Sequence, residues 1–296
     1  MDAFRFEFST MGCPCALHLE TDARTAQRAF DAARAECERL DRKYSHYRDD
    51  SLIATIAARG GGAPIEVDTE TADLFDFANE LHRQSGGLFD ITAGALTRLW
   101  DLRSGDLPAR SAIESAVALV GWERVEWQRP HVRMPSAAMR LDLGGIVKEY
   151  AADRCAQICR EAGVAHGLVD LSGDLAVIGP HRDGSAWRVG IKAPRAPGQA
   201  AAQIAIDSGG LATSGDYERV LIVDGRRYSH IVDPRSGWPV EGLASVSVVA
   251  QSCLVAGAAS TLAMLMGADG VRWLGELGLP HLCIDTDGRI FGTLSD

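Results

Sequence analysis

Short apolar runs punctuated by turn residues, with longer helical patterns set between them, organise this chain. Phe4 to Phe8 predicts a first strand, Met11-Gly12 a turn, and the stretch near Ala16 to Leu19 a second strand. From Ala23 to Tyr44, apolar and alanine positions recur at helical spacing among Arg, Asp and Glu, which predicts a long helix. Ser45 to Ser51 reads as a turn, and Glu70 to Ser85 as a second helix stopped by Gly86-Gly87. Phe89-Asp90 then leads into a short helix toward Trp100.

Residues 103–140 read as short strands alternating with turns, and Arg140 to Leu143 as a strand ending in Gly144-Gly145. Lys148 to Ala162 predicts a helix that Gly163 stops, and His166 to Gly179 a hairpin folded about Ser172-Gly173-Asp174. Further strands are expected at 186–192, 202–207, 219–232 and Val246 to Ala250, then a buried alanine-rich helix from Leu254 to Met266. A last hairpin turns around Thr286-Asp287-Gly288. Hairpins mixed with inserted helices point to an α+β fold rather than a doubly wound sheet.

The segment from Leu211 to Val240 concentrates polar chemistry. Thr213, Ser214, Gly215 and Asp216 read as a hydroxyl–carboxylate turn, and Asp224-Gly225 between apolar runs as a hairpin turn. That hairpin puts Tyr217 and His230 near its opposite ends, with Asp233 to Gly237 as the exit turn. His230 could serve as a general base, and Thr213 to Asp216 suit phosphate hydrogen bonding or magnesium coordination, although turn and capping roles account for each residue singly.

Net charge −10 argues against a nucleic-acid surface, which needs a basic footprint. No run approaches the roughly 20 apolar residues of a membrane span. The opening MDAFRFEFSTMG carries charges where an export signal needs an apolar core, so a cytoplasmic location is expected. Seven cysteines, without zinc-ligand spacing, fit free thiols in a reducing compartment. Cys155 and Cys159 lie four apart on a predicted helix, a spacing that can bind metal but usually means helix packing.

Two glycines between strand and helix, Gly144-Gly145, followed by Lys148 in the first helical turn, form a possible phosphate cradle. It is not a P-loop, since GxxxxGK[ST] is absent. Ser172-Gly173-Asp174 could bring a second backbone segment and a carboxylate to a pyrophosphate or metal, or form a plain hairpin turn.

Taken in order, these segments resemble the ApbE family, the FAD:protein FMN transferases. The resemblance runs from Met11-Gly12 through Ser45-His-Tyr-Arg-Asp-Asp-Ser51, Gly87-Leu-Phe-Asp-Ile-Thr-Ala-Gly94 and Leu141-Asp-Leu-Gly-Gly-Ile-Val-Lys148. It continues through Asp170-Leu-Ser-Gly-Asp174, Trp187 to Ile191, Ala212-Thr-Ser-Gly-Asp-Tyr217 and Tyr228-Ser-His-Ile-Val-Asp-Pro-Arg-Ser-Gly237. It implies one ApbE-like domain over 1–296, with two interleaved α+β lobes and tandem T-fold-like antiparallel sheets with packed helices. It also implies magnesium-dependent transfer of FMN from FAD to a threonine hydroxyl on a target flavoprotein, releasing AMP.

Carried over by the resemblance, Met11 and Tyr47 would contact flavin or adenine, and Asp90, Thr92 and Lys148 would help hold FAD. Ser172, Gly173, Asp174, Thr213 and Ser214 would lie beside the ligand, and Val147 and Thr261 at the metal. His230 would deprotonate the acceptor threonine, with Asp216 as a second catalytic group.

The departures are specific. The family's magnesium helix supplies an aspartate and a threonine four residues apart; here it reads Ala256-Gly-Ala-Ala-Ser-Thr261, keeping Thr261 but placing Gly257 where the aspartate stands. Glu149 replaces the glycine usual after the lysine, Ala57 an asparagine, and Ser172 the first glycine of GGD. A weakened metal site is therefore expected unless Glu149 lies close enough to supply the carboxylate. Two other activities stay open on this reading. One is a divergent FAD-binding protein with weak or no transferase activity, the other a magnesium-dependent FAD pyrophosphatase.

Overall fold

The structure, a computed structural model, describes residues 2–100, 105–196, 198–217 and 219–295. β1 (Asp2–Thr10) and β2 (Cys13–Thr21) pair through Phe4↔Leu19 and Thr10↔Cys13. Met11 and Gly12 between them hold φ of 50° and 72°, the double positive φ that matches a tight hairpin to strand twist. α1 (Ala23–Tyr44) starts on the Asp22 carboxylate and buries Ala26, Ala29, Ala33, Cys37, Leu40 and Tyr44, one stripe at helical period. α2 (Leu52–Ala58) follows, capped by Ser51. β3 (Ile65–Glu66) precedes α3 (Thr69–Gln84), and α4 (Gly94–Leu99) and α5 (Arg110–Val117) come next.

β4 (Glu126–Gln128) and β5 (His131–Arg133) complete a small sheet ordered β3-β5-β4. α6 (Val147–Glu161) leads into the hairpin of β6 (Gly167–Leu171) and β7 (Asp174–Gly179). β8 (Trp187–Lys192) and β9 (Ala200–Ile206) form a separate ribbon, and β10 (Gly210–Gly215) returns to the main sheet. β11 (Val220–Val223) and β12 (Arg226–Ser229) make a separate two-stranded hairpin, its Leu221 and Tyr228 packed with Trp100 and Ile113. β13 (Leu243–Ala250), α7 (Cys253–Met266), α8 (Ala268–Glu276), β14 (His281–Asp285) and β15 (Ile290–Phe291) end the chain.

Eight strands join in the order β1-β2-β6-β7-β10-β13-β14-β15, with every pairing antiparallel. The α+β reading holds. One face carries α1, α6 and α7 over the main core, in which Leu17, Leu40, Phe75, Val169, Val246 and Leu262 are buried. The other face uses Leu168, Leu175, Val177, Leu211 and Leu282 to seat Ile191, Ile204 and Ile206 of the β8–β9 ribbon. Alternation along β6, β7 and β10 feeds both layers.

The differences from the sequence reading have local reasons. Arg140 to Leu143 is not a strand: Arg140 makes one isolated parallel bridge to Ala93, and the Asp142 N–H bonds to Ile91. The 103–140 segment contains α5 as well as β4 and β5, and residues 103 and 104 lie outside the described residues. α2 and α8 are short helices that no long periodic pattern announced. Thr213, Ser214 and Gly215 are strand, not turn, paired with Ser247, Val246 and Ser245 of β13. Tyr217 and His230 flank the same open end of the β11–β12 hairpin, because only Val220 to Ser229 are paired.

One carboxylate ties three helices. Glu70 at the start of α3 accepts from Arg39 (2.6 Å) and Lys43 (2.7 Å) of α1 and from the Tyr150 hydroxyl of α6 (3.1 Å). Burial alone would raise its carboxyl; the bonds from Arg39 and Lys43 outweigh that and hold it down at about 2. A depressed folded-state value stabilises the fold above the ordinary 4.5, and that contribution is lost as pH falls toward 2. Glu70→Gln should therefore cost about 1–2 kcal/mol at pH 7, discounted for partial exposure of the network. Urea denaturation of the wild type and the variant from pH 7 to pH 3 checks this. A gap that fails to narrow below pH 4.5 contradicts it.

Candidate functional site

Strand register brings the loops of interest to one end of the main sheet. Cys15 of β2 faces Leu171 of β6, so the Met11-Gly12 turn lies beside the Ser172-Gly173 turn. Leu211 of β10 faces Leu175 of β7, which carries Thr213 and Ser214 to the same end. Ser172 and Gly173 hold φ of 60° and 95°, and the Asp170 carboxylate accepts the Gly173 N–H at 2.7 Å, fixing the turn. The next residue, Asp174, is only 3% exposed.

Asp174 forms the electrostatic centre. Its carboxylate takes Lys148 Nζ at 2.7 Å and the Thr213 N–H at 3.3 Å. Burial would lower the Lys148 ammonium, but Asp174 and Glu149 outweigh it and push it up, so Lys148 stays charged. Burial pushes Asp174 up. It does the same to Glu149, where the Asp174 charge adds to the effect. The cluster thus holds one ammonium and two acids in a nearly dry setting. The Cys13 thiol is drawn down chiefly by its bond to Cys15, and it also feels Lys148, Asp174 and Arg219, which places it beside this cluster.

Hydroxyls border the acids. Ser214 Oγ lies 2.8 Å from Ser260 Oγ and 3.1 Å from Thr261 Oγ1, linking β10 to α7. Thr213 Oγ1 meets Ser247 Oγ at 2.8 Å. Val147 opens α6 directly before Lys148 and Glu149. Lys148, Ser172, Gly173, Asp174, Thr213, Ser214, Thr261 and the Met11 turn therefore form one neighbourhood.

The remaining candidates fall elsewhere or change character. Both Asp216 oxygens are engaged by Arg195, at 2.7 and 2.6 Å, so a residue expected to act catalytically is half of an ion pair. Arg195, from the β8–β9 connection, escaped the sequence reading because no motif surrounds it. His230 follows β12 directly, where the chain leaves the hairpin, and is half-buried.

Asp90 and Thr92, expected to help hold FAD, make hydrogen bonds within the fold. Asp90 accepts the Thr92 N–H and hydroxyl (2.7 and 2.6 Å) and the Trp122 N–H (3.0 Å). The Thr92 hydroxyl accepts the Gly121 N–H at 2.8 Å. They brace a wall through that clamp. Gly144 and Gly145 have internal reasons too: Asp142 accepts the Gly144 N–H at 2.7 Å, and a side chain at Gly145 would meet the Phe89 ring at 3.1 Å.

Tyr47 is 70% exposed and leans on His46, ring centres 3.9 Å apart. His46 Nδ1 lies 3.0 Å from Asp142 Oδ1, and the Thr97 hydroxyl donates to Oδ2 at 2.8 Å. Burial would raise Asp142, but these partners and the Gly144 N–H hold it below the usual carboxylate range. A cavity of about 180 Å³ opens beside His46, lined also by Asp49, Arg98 and Arg140. A larger one of about 570 Å³, lined by Leu243, Ala268, Arg272 and Phe291, contains none of the clustered residues.

The comparisons with known proteins agree with one another. A model described as the ApbE family matches residues 11–282. The chain is 30% identical over 255 residues to the FAD:protein FMN transferase of Vibrio cholerae, spanning 84% of this chain and 75% of that protein. It is 30% identical over 283 residues to the FAD:protein FMN transferase of Salmonella typhimurium, spanning 92% and 81%. The crystal structure of the apbe protein from Thermotoga maritima superposes with a TM-score of 0.92 at 29% identity over 100% of both chains. The flavin transferase ApbE from Vibrio cholerae superposes at 0.85 and 27% identity, over 99% and 98%.

The ion pair sets an expected energy. Lys148→Met strands Asp174 as a buried charge and should cost about 3 kcal/mol, whereas Lys148→Met/Asp174→Asn removes both charges and should recover more than half. Chemical denaturation of the four chains measures the coupling. Additive losses would rule out the pairing.

Proposed function

The chain belongs to the ApbE family and is a transferase; on that premise we propose that it moves FMN from FAD to a threonine hydroxyl of a target flavoprotein, releasing AMP. The observation that carries this reading is the convergence of Lys148–Asp174, the Ser172-Gly173 turn and the Thr213–Ser214 strand end on one rim of the sheet. A pyrophosphate needs a fixed cation and hydroxyl donors within a small volume, and this rim gathers Lys148 with the Thr213 and Ser214 hydroxyls.

In this scheme the threonine oxygen attacks the phosphorus of the FMN half and the P–O–P bond breaks. AMP leaves, and the threonine proton passes to His230. His230 is suited to this step because an imidazole nitrogen can accept the hydroxyl proton and the residue stands at the open end of a hairpin. Lys148 stays charged through Asp174 and meets phosphate oxygens as a fixed positive group. Arg195, held by Asp216, adds a guanidinium to the Lys148 ammonium at the end of β10.

The donors fit a magnesium ion. The Ser214 and Thr261 hydroxyls, the Val147 carbonyl at the start of α6 and the buried Glu149 carboxylate are all oxygen, the ligand type a hard cation takes. Val147 and Thr261 would hold it, and the ion would neutralise pyrophosphate charge.

Incubation with FAD, Mg2+ and a threonine-bearing acceptor domain should add the mass of FMN minus water to the acceptor, with equimolar AMP. His230→Gln should slow transfer by about 100-fold or more while FAD binding, read by fluorescence quenching, stays near wild type. No adduct with any divalent cation rules out transfer. AMP formed at the same rate without acceptor would mark an FAD pyrophosphatase instead.

A further inference from the structure

We propose that Glu149 of α6 is the carboxylate ligand of the divalent cation in this chain, and that positions 149 and 257 are alternative sources of one carboxylate at one cation position. The proposal rests on the metal-dependent reading above and deepens it.

Steric exclusion is the first observation. A Cβ built on Gly257 would fall 2.3 Å from Glu149 Cγ, 2.9 Å from its Cδ and 3.1 Å from Oε1. Glu149 therefore lies directly over the α7 backbone at position 257. Glycine is what makes that space available; any side chain there must displace the glutamate. Position 257 sits one helical turn before Thr261, on the same face of α7.

Glu149 itself is the second. The residue is 6% exposed, and among the described residues its Oε2 takes no hydrogen bond. A buried carboxylate oxygen without a partner is costly and needs an explanation. Lys148 Nζ lies 2.7 Å from Asp174, and Glu149 has no ion pair of its own among the described residues; its carboxyl adjoins that of Asp174. The surrounding groups are hydroxyls and carbonyls: Ser260 Oγ donates to Gly257 O at 3.0 Å, and Ser214 bridges Ser260 and Thr261. Two adjoining buried carboxyls with hydroxyl and carbonyl oxygens beside them offer the oxygen ligands that a divalent ion takes.

The experiment uses Mn2+ as probe, with free metal followed by its electron paramagnetic resonance signal, on the full chain. Wild type should bind Mn2+ at one site. Glu149→Gln should weaken binding at least tenfold while the metal-free chain stays folded, as read by its unfolding temperature. Glu149→Gly should bind as poorly as Glu149→Gln. Glu149→Gly/Gly257→Asp, which moves the carboxylate to α7, should return affinity to within a few-fold of wild type. Glu149→Gln binding Mn2+ like wild type overturns the proposal while leaving the metal-dependent transferase intact. A folded double variant that binds no better than Glu149→Gly overturns it as well. Failure of wild type to bind Mn2+, alone or with ADP, removes both readings together.

Discussion

The site depends on how α7 is seated on α6. Asp153, in the middle of α6, accepts the N–H groups of Cys253 and Leu254 at 2.9 Å each, closing the exposed start of α7 with a side chain from another helix. Ser252 caps the same end from within its own segment. This cap fixes a register. One turn back along α6 from Asp153 is Glu149; one turn onward along α7 from Cys253 is Gly257. Glutamate falls over glycine because aspartate falls over the helix start. Cys155, on α6, packs instead against α1, its sulfur 3.2 Å from Cys37 Sγ, so α6 is held from both sides.

The same seating delivers both acids and their ammonium to a single sheet end. β7 places Asp174 there by starting immediately after the Ser172-Gly173 turn, and α6 places Lys148 in its first turn. Charges this well buried are not kept for stability alone, since apolar residues of similar volume would serve a core as well or better. The surrounding architecture is conventional by comparison: two apolar layers on an antiparallel sheet, with Glu70 clamping the outer helices.

What could be read from the sequence follows from range. α1, α3, α6 and α7 were legible because each repeats its apolar stripe over several turns, and the hairpins at 172–174 and 224–225 because their turn residues act locally. α2 and α8 are too short to establish a period, and Arg140 to Leu143 looks extended without finding a full strand partner. Within the site, Lys148, Asp174 and Thr261 were named from motif, but their grouping depends on pairings such as Cys15↔Leu171 and Leu211↔Leu175 that join segments far apart in the chain. Asp90 and Thr92 were named from motif too, and the fold gives both a second task that the motif does not announce, holding the N–H groups of Trp122 and Gly121. Arg195 carried no motif at all, and only its bidentate pair with Asp216 singles it out.

The overlap of Glu149 with the space above Gly257 also bears on how such chains are inherited and recognised. A pattern scored one position at a time reads Gly257 as a loss and Glu149 as an unrelated oddity. The geometry makes the two positions a single character with two states, acid on one helix or acid on the other. A lineage moving between those states cannot do so comfortably in one step: the first change leaves either two carboxylates competing for one volume or none. Relatives should therefore be sorted by the pair, and a glycine at 257 counts as a defect only where 149 lacks its acid.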